Sequence, residues 1–370
     1  MKIDDKTSHN SPSIRFPEFT GEWEKCKIED ITDAVSSGKS KNHFSNGEYN
    51  LYGSTGIIGR TDKALYDGKL VLVARVGANA GFLQIINEPC GITDNTLILK
   101  PKGIDAFYLY YFLQHFNLNR LIFGSGQPLI TGGMLKKVKV SLGTISEQSK
   151  IVKFLSLLDE RIATQVRLIE DLKKLRCAIV EKMFKQSKAN GRLGDFIEQV
   201  SVRNKNGLYS NVLSVSNKQG FVKQSEQFED RTVASKDTSN YKIVKRNNFA
   251  YNPARINVGS IARLTKFDVG IVSPMYVCFR TKASIIPEYM EAFFTSQQFF
   301  YEMMKRLEGS VRLCLSYEGL CNIPVYIPDM NKQIAMGQNI SLILSKIGLE
   351  IEYLGRLHQQ KQYLLRKMFI

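Results

Sequence analysis

Residues 124–184 return, without a gap, as residues 309–369, a constant offset of 185. Only about a fifth of the aligned positions are identical, but the character of the positions matches almost throughout. Gly124-Ser125 returns as Gly309-Ser310, Ile130-Thr131 as Leu315-Ser316, Leu135 as Leu320, and Val138 with Val140 as Ile323 with Val325. Gln148 returns as Gln333, and Lys182-Met183-Phe184 as Lys367-Met368-Phe369. A chain of 370 residues with such a repeat is constrained to two related halves.

The repeated tail reads as a long helix. Ile151, Leu155, Leu158, Ile162, Gln165, Ile169, Leu172, Arg176, Ile179 and Met183 follow a 4-3 spacing, which places them on one coiled-coil seam. The second copy supplies Met336, Ile340, Ile343, Ile347, Glu350, Leu354, Leu357, Lys361, Leu364 and Met368, with its two polar breaks at the same steps. Helices that share both a seam and its interruptions are expected to pair with each other. Each would run about 38 residues, or roughly 57 Å. Off the seam, apolar residues including Phe154, Leu157, Val166, Leu168 and Val180, and Leu342, Leu349, Ile351, Tyr353 and Leu365, need cover beyond a two-helix contact.

Upstream of each helix the texture changes to Gly, Asn and Ser with short β-type runs. Strands are expected at residues 70–73, 96–99 and 136–142, and at 211–215, 270–272, 276–279 and 323–327. Short helices are expected at 107–116 and 289–300. The globular halves echo each other: Ile28-Glu29-Asp30-Ile31 resembles Leu193-Gly194-Asp195-Phe196, and Ala74-Arg75-Val76 resembles Ala254-Arg255-Ile256. The expected architecture is α+β, with two similar mixed α/β domains joined by two long antiparallel coiled-coil helices in a pseudo-two-fold duplication. The segments are 1–145, 146–190, 191–330 and 331–370, with Gly191 as a helix stop and hinge.

Lys and Arg outnumber Asp and Glu by 51 to 35, a formal charge of +16, which favours a polyanionic partner. The six cysteines (Cys26, Cys90, Cys177, Cys278, Cys314, Cys321) and four histidines (His9, His43, His115, His358) lack metal-ligand spacing, so reduced, mostly buried thiols and no metal are expected. No apolar run has the length of a membrane span and the first ten residues carry no signal-peptide stretch, so a cytoplasmic protein is expected.

Arg15-Phe16-Pro17-Glu18-Phe19-Thr20-Gly21-Glu22-Trp23 resembles the opening of type I restriction-modification specificity subunits. So does Ile145-Ser146-Glu147-Gln148 leading into a helix that ends Glu181-Lys182-Met183-Phe184. The resemblance covers essentially the whole chain. It implies two target-recognition domains that each read half of a split double-stranded DNA site, with the helices as spacer. It further implies two methyltransferase subunits that carry S-adenosylmethionine and methylate adenine, restriction subunits in the full complex, and no cofactor or catalytic centre on this chain. Two like modules on a rod match a two-part site independently of the resemblance.

DNA contact needs Arg, Lys, amides and small hydroxyls on approachable loops. The candidates are Ser54, Thr55 and Arg60 in a Gly-rich segment, Arg75 with Asn79, and Arg255 with Asn257 and Arg263. Ser125 with Gln127, Ser310 with Arg312, and Lys218 with Lys245 in a basic stretch complete the set. The alternatives are structural turns for the glycines, rim ion pairs for the arginines and plain solvation for the lysines. The paired aromatics of residues 108–112 and 293–300 read as core. Tyr251-Asn252-Pro253-Ala254 begins like the Asn-Pro-Pro-Tyr motif of adenine methyltransferases but departs at its third and fourth places, and no Gly-rich cofactor loop accompanies it. A coiled-coil nucleic-acid scaffold and a DNA adenine methyltransferase remain the rival readings.

Overall fold

The computed structural model describes residues 10–41, 46–122, 128–185, 188–217, 219–227, 237–310 and 312–370. The chain divides into two compact units, Met1–Val166 with Glu352–Ile370, and Arg167–Ile351. The boundaries fall inside the long helices instead of at the sequence segments, because each globule packs the head of one helix and the tail of the other.

In the first unit the central sheet has four antiparallel strands in the order Thr32–Ser37, Thr96–Pro101, Lys69–Ala74, Leu83–Asn87. The second unit builds the same order from Ile197–Gln199, Val277–Thr281, Phe249–Tyr251 and Ile261–Arg263. The inner strands are buried from Leu70 to Ala74 and throughout Phe249–Tyr251, which accounts for their unbroken apolar runs. Each unit adds a second sheet containing one parallel pairing: Tyr49–Gly53 with Cys90–Ile92, and Val212–Ser216 with Val269–Val272. A strand Lys242–Lys245 extends the second unit's sheet alone.

Helix α1 (Ala106–Phe116) covers the first sheet, its start capped by Asp105, whose side chain accepts from the Phe107 N–H. The 41-residue helix α2 (Ile145–Lys185) begins in the first unit. In the second unit α3 (Pro287–Phe293) stands where α1 does, and α4 (Met330–Met368) is the second long helix. The single helix expected over 289–300 is two, because the Ser296 side chain accepts from the Phe299 N–H and caps a fresh start at Gln297–Met304. The strand expected over 136–142 is shorter, Lys139–Leu142, since Thr131 caps a helical turn at Gly132–Lys136. Only Pro324–Val325 of the strand expected over 323–327 forms.

Within the first unit the helices run antiparallel. Lys361 Nζ lies 2.6 Å from Asp159, while Tyr353, earlier on α4, meets Arg161, later on α2. Every seam residue is buried or half-buried, from Ile151, Leu155, Leu158 and Ile169 through Ile340, Ile347, Leu357 and Met368. The second polar break of each helix faces a globule: Lys361 sits over the Tyr111 ring, and the Arg176 charge acts on Glu291. The helix tails are plugs. Phe369 is buried against Trp23, Tyr108 and Phe112 of the first unit, and Phe184 against Tyr289 and Phe293 of the second. Of the cysteines, Cys90 and Cys278 are buried, and burial pushes both thiols up to about 12. Fewer are buried than the sequence suggests, for Cys177 is exposed and three are intermediate.

Candidate nucleic-acid interface

The loop after the central strand sits in the same backbone frame in both units. Val73 lies opposite Leu83 and Leu97, and Tyr251 opposite Ile261 and Val277. Ala74 N–H donates to Phe82 O at 2.8 Å, and Asn252 N–H to Ser260 O at 3.1 Å. Each loop closes through a left-handed glycine, Gly81 at φ +89° and Gly259 at φ +88°, a conformation that strains a side chain. This register makes Asn79 the equivalent of Asn257, and Gly77 the equivalent of Arg255. The sequence pairing of Arg75 with Arg255 is therefore two residues out of step; Arg75 stands where Pro253 does.

Asn79 is exposed on the wall of a 340 Å³ cleft between this loop and the end of α1. Asn257 takes the same place in a 440 Å³ cleft of the second unit, between its loop and the segment after α3. Neither side chain makes a hydrogen bond among the described residues. Arg255 is exposed and lines a second cleft of 600 Å³ together with Arg312, Asn252, Ser214, Gln224 and Met275. The duplicated loop thus carries amide groups in both units and a guanidinium in one.

The remaining candidates divide. Ser54 and Thr55 form the tip of the hairpin joining Tyr49–Gly53 to Gly56–Thr61; Thr55 is exposed, and Ser54 Oγ donates to Asn95 O at 3.2 Å. Arg60 donates to the carbonyls of Gly47 and Glu48, bracing the incoming chain while staying exposed. Arg75 is half-buried, with Nη1 3.4 Å from Ser37 Oγ and Nε without a partner among the described residues. Ser310 and Lys245 are exposed. Arg263 does not join them: its side chain is 9% exposed and bound to Glu288 and Glu291, the latter at 2.9 Å. Burial raises the Glu291 pKa against the pull of Arg263. Ser125, Gln127 and Lys218 lie outside the described residues.

Residues that motif reading left without a place are explained by packing. Tyr251 is buried and its hydroxyl donates to Leu315 O, while Asn252 Oδ1 accepts from the Ala254 N–H, so the methyltransferase-like tetrapeptide is spent on core and turn. Gln224 Oε1, shielded from solvent in the cleft without a hydrogen-bond partner among the described residues, gave no signal in sequence. The cleft assembles from strands and loops far apart along the chain, which no local pattern announces.

The profile of the type I restriction modification DNA specificity domain matches residues 20–174. The fold is also that of a solved S subunit of a type I restriction-modification system from Mycoplasma genitalium. It aligns over 97% of this chain and 99% of that one with a TM-score of 0.63, at 19% identity. Residues 20–174 are thus similar to the type I specificity domain, and the whole chain shares the fold of a solved S subunit. Among curated specificity subunits, EcoprrI of Escherichia coli is 28% identical over 112 residues, 30% of this chain. MjaVIII of Methanocaldococcus jannaschii is 31% identical over 119 residues, 31% of this chain. Each match spans 28% of the relative's own length.

The two motifs that carry the family resemblance meet in space. Arg15 binds Glu147 with two hydrogen bonds of 2.7 and 2.8 Å, and Trp23 Nε1 donates to the same carboxylate at 3.1 Å. Lys150 lies over the Phe16 ring and pairs with Glu18. The repeated glutamine is equally structural. Gln148 Nε2 donates to Gly143 O, and Gln333 Nε2 to Pro328 O, each tying its helix to the chain five residues back. Among the described residues no helix is long and apolar enough to cross a membrane, and no cluster of metal-ligating side chains occurs.

Proposed function

We propose that this chain is the DNA-reading subunit of a type I restriction-modification complex, that each compact unit reads one half of a two-part site on double-stranded DNA, and that it performs no chemistry itself. The duplicated loop carries this reading: one backbone frame, closed by glycines of nearly equal φ, presents Asn79 in one unit and Asn257 with Arg255 in the other. One frame with different side chains suits two half-sites of different sequence. The charge of +16 suits the phosphate backbone.

The partners follow from the same reading. Two methyltransferase subunits holding S-adenosylmethionine dock on the long helices, methylate adenine, and are joined by restriction subunits in the cytoplasm. Leu157 and Leu342 are equivalent under the repeat and are 56% and 68% exposed; Val166 and Ile351, also equivalent, are 37% and 49% exposed. Apolar groups displayed twice in the same register suit two copies of one partner. Val180 and Leu365, by contrast, are buried inside their own units, and Tyr353 is half-buried beside Arg161.

The purified chain, bound to its cognate methyltransferase subunit, is challenged at fixed salt with its methylated-site duplex and with a scrambled duplex. The reading predicts a preference of at least about a thousandfold for the site. Equal binding to both would make the chain a non-reading scaffold.

A further inference from the structure

The Arg255 cleft combines features that a phosphate site would not. Two guanidiniums, Arg255 and Arg312, are exposed at one opening, and neither has a hydrogen-bond or ion-pair partner among the described residues. The same cleft is lined by Gln224, whose Oε1 has no partner among the described residues, by Ser214, and by the apolar Val212 and Met275, the last 60% exposed. A phosphate offers only acceptors and gains nothing from a carbonyl oxygen or an apolar wall. A base edge in the major groove offers acceptors, donors and, on thymine, a methyl group. The guanidinium fork matches the O6 and N7 acceptors of guanine.

The first unit has no counterpart to Arg255. Gly77 holds that position at φ +79°, where any side chain would be strained. The asymmetry is therefore built into the backbone of the duplicated loop.

We infer that Arg255 and Arg312 are the specificity-determining pair of the second unit, reading guanine in the major groove of its half-site and leaving the other half-site to different groups. This rests on the DNA-reading function proposed above. The two fail in distinguishable ways: a chain that shows no sequence preference at all refutes that function, whereas a chain that keeps its preference unaltered in the variants refutes only the inference.

The test is selection from a random duplex pool by the chain in complex with its methyltransferase subunit, for the wild type, Arg255→Ala, Arg255→Lys and Arg312→Ala. Both side chains are exposed and unpaired among the described residues, so the variants are expected to keep the wild-type unfolding midpoint, which is measured alongside. The inference predicts that each alanine variant loses a guanine preference of roughly tenfold or more at one position of one half-site, with the other half-site unchanged. Arg255→Lys keeps the charge but not the fork, and should relax the same position while holding most of the affinity. A uniform loss of affinity across all sequences, with a shallower salt dependence and intact preferences, would mean that the arginines hold phosphates and would overturn the inference. So would relaxation of both half-sites together.

Discussion

Glu147 is fully buried, and its charge is tolerated because Arg15 and Trp23 satisfy both of its oxygens. Glu147→Ala removes the anion and strands Arg15, whose side chain is 14% exposed. Allowing for that partial solvent screening, the loss is about 2 kcal/mol or more, read as a lower urea midpoint, and Glu147→Gln should recover part of it. His115 behaves differently. It is stacked on Phe369 at 5.8 Å, and burial holds its pKa below the ordinary value of 6.5, with a hydrogen bond to the Leu365 carbonyl offsetting part of the shift. A depressed folded pKa means that the native state resists protonation while the unfolded chain does not. Its contribution is thus intact above about 6.5 and lost as the pH falls from there through the folded pKa. His115→Phe should flatten this part of the profile; equal pH slopes for variant and wild type between pH 7.5 and 5.5 would contradict it.

Among the elements, the repeated Lys-Met-Phe was visible in the sequence as a coincidence of letters, and its meaning is now mechanical. Phe184 and Phe369 close the cores of the second and first units. Phe184→Ala should cost roughly 3–5 kcal/mol and speed hydrogen exchange first in residues 249–251 and 277–281, because a cavity opens where those strands pack. Fastest exchange in the first unit's sheet would contradict that placement. The long helices were legible because a 4-3 period survives substitution, and the inner strands because burial on both faces leaves continuous apolar runs. The duplicated loop was not. Ala74-Arg75-Val76 and Ala254-Arg255-Ile256 look alike, yet sheet register and the φ of Gly81 and Gly259 set the true correspondence two residues away. Nor could spacing distinguish Arg263, bound to two glutamates, from Arg255, whose side chain is unpaired among the described residues.

For the whole molecule, duplication is the property from which function follows. On the proposed function, two units with one strand order, one loop frame and one plug at the same place are readers of the same kind, and their differing loop side chains are expected to assign them different half-sites. The most direct measurement exchanges residues 191–330 for the corresponding segment of another specificity subunit, co-expresses the chimera with the cognate methyltransferase subunit, and maps methylated adenines. One half of the two-part motif should change while the other half and the gap between them persist. If both halves changed together, or the methylated motif stayed the same with the chimera as the sole source of specificity, the two-reader account would be contradicted.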